Sequence, residues 1–175
     1  MLGRLVEIDT GWQTVAAVQD LLEVLLGSGQ AGYCVGWKIM QSSIETITNI
    51  AKYQVELLKA TSTYTTGSGG TDLSAALSPI AATGGVASVS TSQAAHGFAA
   101  NFPKRNNTTI AVVNTGTLKA VDADSFNEAS GVLDVSYTPE EWRPFGPSEA
   151  VILRLAEAPA SCTMRALLRL LITHG

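Results

Sequence analysis

The chain has 175 residues, a length that suits one domain with a single buried core. Charged residues make up only 15% of it, the net charge is −4, and the Lys and Arg residues are scattered. This composition argues against a nucleic-acid partner, which requires clustered basic residues. No signal peptide and no apolar run long enough for a membrane span are evident, so we expect synthesis in the cytoplasm and no membrane partner.

The N-terminal part of the chain is predicted to hold two strands after a short arm. Residues 1–14 precede the first strongly patterned segment and are predicted to be the arm. Residues 15–26, VAAVQDLLEVLL, also suit a helical stripe, but we predict a strand because the neighbouring segments are strands. Residues 33–41, YCVGWKIMQ, alternate clearly and predict a strand. Its apolar face is expected to comprise Tyr33, Val35, Trp37 and Ile39.

Four further segments alternate in the same way, at residues 50–60, 130–137, 149–156 and 163–173. Short strands joined by Gly, Pro, Ser and Asn clusters favour an all-β fold, an antiparallel β-sandwich or jelly roll formed by residues 1–175 as one domain. Ile152, Leu167 and Leu171 fall on the less apolar faces of their strands. This placement predicts that contact between subunits covers them.

Residues 67–107 are rich in Gly, Ala, Ser and Thr and mostly lack periodicity. Such a length without a pattern predicts an extended loop or arm that reaches a neighbouring subunit. The segment begins with Gly67-Ser68-Gly69-Gly70, a composition also found in phosphate-binding loops. No Lys follows the glycines as a P-loop requires, so we predict that they only end a strand.

Candidate carboxylate sites are weak. Glu140 and Glu141 are adjacent, and neighbours on an extended chain point to opposite faces, so we predict a solvated turn and not a general acid–base pair. Asp122, Asp124 and Glu128 alternate, but VDADSFNE lacks the glycine and the spacing of a calcium loop. We therefore expect no metal at these positions.

Cysteine and histidine offer no better candidates. Cys34 and Cys162 lie far apart without metal-ligand spacing and are predicted to be buried and reduced. His96 and His174 have no plausible partners for a catalytic triad. The sequence thus predicts neither enzyme activity nor a cofactor.

Residues 126–164, FNEASGVLDVSYTPEEWRPFGPSEAVILRLAEAPASCTM, resemble a family of small structural proteins of tailed-phage virions. Members of that family carry a Phe-Asn pair, a Tyr/Trp-x-Pro-x-Pro-Glu-Glu-Arg stretch, a Gly-rich turn and a Val-x-Leu, Ala-Pro-Ala, Thr-Met ending. The matching positions are Phe126, Asn127, Tyr137, Thr138, Pro139, Glu140, Glu141, Pro147, Val151, Leu153, Leu155, Ala158, Pro159, Ala160, Thr163 and Met164. AAVQDLLEV, QSSIE and YTTGSGGT in the N-terminal half are similar to the family as well. The stretch Trp142-Arg143-Pro144-Phe145 departs from it.

The resemblance implies a virion component that decorates or cements the outer surface of the phage head. It further implies a homo-oligomer, expected to be a trimer, with the major capsid protein as partner. The segments outside the clearest strands, together with the turn at residues 140–149, supply the expected interface residues. These are Leu2, Leu5, Trp12, His96, Phe98, Phe102, Lys104, Arg105, Trp142 and Phe145.

Two other functions fit the same β-rich chain. One is a tail or fibre-adaptor protein, which copy number per virion would distinguish from a decoration protein. The other is a carbohydrate-binding β-sandwich, for which Trp12, Trp37 and Trp142 could act as stacking platforms.

Overall fold

The computed structural model describes residues 3–42, 52–73, 98–99, 102–127, 131–157, 159 and 161–174. These residues form two antiparallel β-sheets that enclose a shared apolar core, which confirms the predicted all-β sandwich. No helix in the described ranges is long and apolar enough to cross a membrane.

Sheet A brings both ends of the described chain together. Its strands are β1 (Gly3–Asp9), β2 (Gln13–Val15), β4 (Gln30–Gln41), β9 (Val132–Ser136), β10 (Arg143–Phe145) and β12 (Cys162–His174). Strand β12 lies between β1 and β4, β2 also pairs with β12, and β9 and β10 pair with β4. The sheet is therefore held by pairings between parts of the chain that are distant in sequence.

Sheet B has the order β6-β7-β3-β11-β5-β8. Its strands are β3 (Gln19–Leu25), β5 (Lys52–Thr65), β6 (Thr71–Asp72), β7 (Lys104–Asn107), β8 (Val112–Asn127) and β11 (Ala150–Leu155). Each segment predicted as a strand, including residues 15–26, contributes to one of the two sheets.

The core lies between the sheets because the longer strands carry apolar residues on the face that points toward the other sheet. Trp37 and Leu168 from sheet A meet Leu57 and Leu153 from sheet B, and none of the four has exposed surface. Full burial of each such side chain contributes about 1.5–3 kcal/mol to the free energy of unfolding.

A β-bulge interrupts the alternation of β4. The pairing with β12 shifts by one residue, so that Val35 is left as the extra residue. Cys34 is consequently fully buried, whereas Tyr33 is 39% exposed. The prediction that Tyr33 shares the apolar face of Trp37 is wrong, since a bulge reverses the side of every residue beyond it.

Strands occupy part of each of the two predicted arms. Strand β1 pairs with β12 over its whole length, so the prediction of an arm over residues 1–14 is wrong for that segment. Within residues 67–107, β6 and β7 extend sheet B beside β3. Residues 74–97 of that predicted arm lie outside the described residues.

The apolar residues expected at a subunit contact are mostly covered by the chain itself. Ile152 has no exposed surface and belongs to a second apolar cluster that includes Leu58 and Ala111. Leu167 is also buried, with 8% exposed. The prediction that a partner covers these two is wrong, and only Leu171 of the three stays half-exposed.

Candidate functional site

The outward face of sheet A carries a row of apolar side chains across four strands. Cross-strand pairing places Leu5 opposite Leu171, Leu171 opposite Tyr33, and Tyr33 opposite Pro144. The Trp142 ring lies against Tyr33, with centroids 5.9 Å apart and planes tilted by 49°. We call these five residues the apolar row. Leu5 is 48% exposed, so the row is open to a partner.

A belt of ion pairs lies beside the apolar row on the same face. Arg169 reaches Glu7 at 3.3 Å and Asp134 at 3.6 Å, and Lys38 reaches Asp134 at 3.1 Å. We call these four residues the charged belt. Exposed pairs of this kind add little stability, typically less than about 1 kcal/mol each. An apolar strip with a charged margin is the composition of protein-binding surfaces.

A cleft of about 290 Å³ opens at one end of the apolar row, where the β10–β11 turn approaches β5. Tyr33, Pro144, Lys59 and Glu149 are among the residues that line it. The Lys59 ammonium lies 2.6 Å from the Glu149 carboxylate and donates to the Pro144 carbonyl at 3.2 Å. It also lies 5.7 Å from the centre of the buried Phe145 ring.

The glycine loop after β5 binds a carboxylate of the chain itself. The Gly67 N–H donates to the two carboxylate oxygens of Glu23 at 3.1 and 3.3 Å, and the Thr66 hydroxyl donates at 2.8 Å. The Tyr64 hydroxyl donates to the same carboxylate. Burial, followed by the negative charge of Glu23, raises the pKa of Tyr64 above its usual range. The prediction that the glycines end a strand is confirmed, because β5 ends at Thr65.

A second buried carboxylate lies three residues away on β3. Asp20 accepts from Arg154 Nε at 2.6 Å and Nη2 at 3.2 Å, and from the Ala111 N–H at 2.6 Å. Arg154 also donates to the Ala111 carbonyl at 3.0 Å. Burial raises the pKa of Asp20 from its ordinary value of 3.8 to about 6, although the Arg154 pair acts in the opposite direction. The network therefore joins β3, β11 and the segment before β8.

Two of the predicted interface residues are exposed on sheet A or beside it. Leu5 is part of the apolar row, and Trp12 is 45% exposed just before β2. Trp142 is half-buried against Tyr33. Leu2 and His96 lie outside the described residues.

The predicted aromatic anchors of the 67–107 segment belong to the core. Phe98 is 3% exposed and Phe102 is 6% exposed, and both pack in the main apolar cluster. Phe145, from the later turn, is 2% exposed. These three rings fill the interior, so the prediction that they contact a partner is wrong in this conformation.

The adjacent basic pair of that segment serves contacts within the chain. Both residues lie on β7, where the Lys104 ammonium sits 5.4 Å from the centre of the Phe102 ring. The Arg105 guanidinium donates to the Thr10 carbonyl. These contacts join β7 to the core and to the turn between β1 and β2.

Trp37 does not provide a stacking platform. It has no exposed surface, and its Nε1 donates to the Tyr137 hydroxyl at 2.9 Å. The Tyr137 hydroxyl in turn donates to Asp122. Burial, followed by that bond to Asp122, raises the pKa of Tyr137 above its usual range. The carbohydrate-binding alternative therefore loses Trp37 and retains Trp12 and Trp142.

The acidic run on β8 makes local hydrogen bonds. The Asp122 carboxylate accepts from the Ala123 N–H at 3.0 Å, and that of Asp124 from the Ser125 N–H at 2.7 Å. Glu128 lies outside the described residues. In the described part of the chain, no group of three or more His, Cys, Asp or Glu side chains could hold a metal.

The remaining candidates have the predicted local environments. Glu140 and Glu141 are exposed in a 3-10 turn, where the Glu141 carboxylate accepts from the Thr138 N–H at 3.1 Å. Cys34 and Cys162 are buried and form no disulfide, as predicted. Burial raises the pKa of the Cys34 thiol to about 12, which makes it a poor nucleophile.

Comparisons with known proteins add no family or fold relative: a scan of family models, a search of curated proteins and a search of solved structures found no match. The residues of the apolar row and of the cleft were predicted from the sequence only in part. Leu5 and Trp142 were among the predicted residues, whereas Tyr33, Lys59 and Glu149 were missed. Gly36 inside an alternating strand was the available signal for the bulge that exposes Tyr33.

Proposed function

We propose that this protein is a virion structural protein that binds the outer surface of a phage head and stabilises the shell. The supporting observation is the outward face of sheet A, where the apolar row lies beside the charged belt on a rigid sheet. The sequence resemblance to tailed-phage structural proteins gives this adhesive surface its expected partner, the major capsid protein.

The chemistry of that face suits adhesion. Leu5 and Tyr33 offer apolar area that gains free energy when water is excluded, at about 25 cal/mol per Å². Glu7 and Arg169 place charges of both signs beside it, which fix the orientation of a partner more than they add affinity. A shell presents many equivalent sites, so moderate affinity at each site is sufficient for high occupancy of the particle.

Shell binding through the outward face of sheet A would occupy one side of the sandwich. The other surfaces stay available for contacts between copies of the protein. We propose a homo-oligomer, with a trimer as the expected state. Sedimentation equilibrium at micromolar concentration tests this part separately, since a monomer mass would contradict the oligomer without affecting binding to the shell.

The proposal is tested by removing the gene from the phage that encodes it and adding purified protein back to the mutant heads. We expect a copy number in proportion to that of the major capsid protein. Mutant heads should release DNA at a lower temperature, and added protein should restore the wild-type temperature. A few copies confined to the tail would favour the fibre-adaptor alternative. Absence of the protein from purified virions would contradict both.

A further inference from the structure

The cleft between β4 and the β10–β11 turn is lined in part by an oppositely charged pair, Lys59 and Glu149. Glu149 is held by Lys59 at 2.6 Å and by the Gly146 N–H at 2.5 Å, so its carboxylate has a fixed position. The two charged side chains remain 24% and 21% exposed. They therefore keep hydrogen-bonding capacity on the side that faces the cleft.

Lys59 has an N–H donor to offer a ligand. An ammonium carries three N–H donors. Among the contacts of the described residues, one goes to Glu149 and one to the Pro144 carbonyl. Because the Phe145 ring lies under the ammonium, the charge is also held in place from the protein side.

The lining also includes aromatic and apolar side chains. Tyr33 is 39% exposed, and the Trp142 ring braces it at a centroid distance of 5.9 Å. Pro144 is a further apolar member of the lining. A cleft of about 290 Å³ lined by both apolar and charged side chains suits a small ring-shaped ligand that carries both kinds of surface.

The charge balance of the cleft selects a neutral ligand. An anion at the remaining Lys59 donor would be repelled by Glu149, and a cation at Glu149 would be repelled by Lys59, so the 2.6 Å pair disfavours a ligand of either charge. A hydroxyl group both donates and accepts, and it can therefore add to the pair without separating it. A neutral molecule with several hydroxyls and an apolar C–H face meets both conditions.

We propose that this cleft binds a neutral pyranose sugar, with its C–H face on Tyr33 and its hydroxyls on Lys59 and Glu149. The cleft shares Tyr33 and Pro144 with the apolar row, so shell binding and sugar binding would exclude each other at this end of the face. The titration below uses the free protein, so its failure leaves the shell-binding proposal standing. The site moves the expected sugar contact from Trp12 and Trp37 to Tyr33 and the bracing Trp142.

The test is NMR titration of the ¹⁵N-labelled wild-type chain with methyl glycosides of neutral hexoses and of N-acetylglucosamine. A ligand of this size in one shallow cleft should bind with Kd of about 1 mM. The expected shifts are at the amides of Gly32, Gly146 and Glu149. Glucuronic acid and N-acetylneuraminic acid serve as charged comparators and should bind at least tenfold more weakly.

Two variants locate the contact. Tyr33→Ala should weaken binding about tenfold or more through loss of the stacking face. Trp12→Ala is the matched control, because Trp12 is similarly exposed, at 45%, but directly precedes β2, which pairs with the other end of β12, and it should leave Kd unchanged. If Tyr33→Ala does not fold, the location of the sugar-induced shifts in the wild-type chain decides whether the cleft is the binding site. No shift with any neutral sugar at 20-fold the expected Kd, shifts away from the cleft, or preference for the charged sugars would overturn the proposal.

Discussion

The Gly67 N–H donates to both carboxylate oxygens of Glu23, a residue 44 positions earlier in the chain. A glycine-rich loop that could have held a phosphate is therefore occupied by an anion of its own protein. Backbone N–H groups in such a loop create a positive environment, and here it compensates a carboxylate that has no exposed surface. The loop thus closes sheet B instead of forming a ligand site.

Replacing Glu23 should destabilise the fold more than an ordinary surface change. Glu23→Ala leaves the donors of Tyr64, Thr66 and Gly67 without this acceptor in a buried position, and we expect a loss of at least about 3 kcal/mol in the free energy of unfolding. Glu23→Gln keeps one acceptor oxygen and should lose less. Urea denaturation measures both.

The control for this experiment is Glu56→Gln on β5. Glu56 accepts an exposed hydrogen bond from Gln54 at 3.1 Å, so its neutralisation should change stability by less than about 0.5 kcal/mol. Equal effects of Glu23→Ala and Glu56→Gln would contradict the role assigned to the buried carboxylate.

Gly36 should be intolerant of any side chain. A Cβ at this position would lie 2.6 Å from the Val135 carbonyl oxygen, so β4 and β9 would have to separate. We expect Gly36→Ala to cost about 1–3 kcal/mol, the range for overpacking, measured by thermal unfolding. Gly3→Ala is the matched control: its nearest contact, at 2.8 Å, is the end of the flexible Leu171 side chain. A Gly36→Ala protein as stable as Gly3→Ala would refute the proposed backbone clash.

Strands β3, β4, β5, β9, β11 and β12 were predicted because their segments alternate apolar residues over several positions. The other strands, among them β1 and the long β8, were not. Strand β7 has the sequence KRNN, which lacks apolar residues, and it pairs with the edge that β3 offers. The bulge at Val35 was also hidden, although it decides that Tyr33 faces outward. The alternation of apolar residues along one segment predicts which residues of a regular strand are buried. It does not predict a shift in the pairing of that strand with another one.

The buried charges were invisible for a related reason. Asp20 and Glu23 lie in the run QDLLEVL, where carboxylates normally mark an exposed face. Their partners are remote: Ala111 is 91 residues from Asp20, and Arg154 is 134 residues from it. Only the folded arrangement shows that these acids are hydrogen-bonded inside sheet B. The exposed Leu5 and the half-buried Trp142, in contrast, could be proposed from sequence because they stand outside the strongest strand patterns.

The raised pKa of Asp20 predicts a pH-dependent contribution to stability. Its pKa is about 6 in the folded chain and 3.8 ordinarily, so the folded state binds more protons between these values. The Asp20 contribution to stability therefore falls as pH rises from about 4 to about 6, by at most about 3 kcal/mol. We expect the stability advantage of wild type over Asp20→Asn to be larger at pH 4 than at pH 7.

Denaturant unfolding of wild type and Asp20→Asn at half-unit pH steps gives the difference between their free energies of unfolding. Contributions from titrating groups that the two proteins share largely cancel in that difference. Asn at position 20 does not titrate, so the remaining pH dependence belongs to Asp20. An advantage that grows with pH would instead show that the Arg154 pair outweighs burial and lowers the Asp20 pKa.

The last prediction concerns the apolar row. Leu5→Glu places a charge at the β1 end of the apolar row, on the surface proposed to bind the shell, and desolvating that charge opposes docking. We expect occupancy of mutant heads to fall at least tenfold at a protein concentration that saturates them with wild type. Stability should change little, by about 0.5–1 kcal/mol, because Leu5 is 48% exposed and loses mainly its cross-strand contact with Leu171.

Val112→Glu is the matched control, since Val112 is 47% exposed but lies on β8 of sheet B. Both variants are compared with wild type by sedimentation of protein with heads, after circular dichroism has established that they fold. Loss of binding in both would indicate a general charge effect, and wild-type occupancy with Leu5→Glu would exclude the outward face of sheet A as the docking surface.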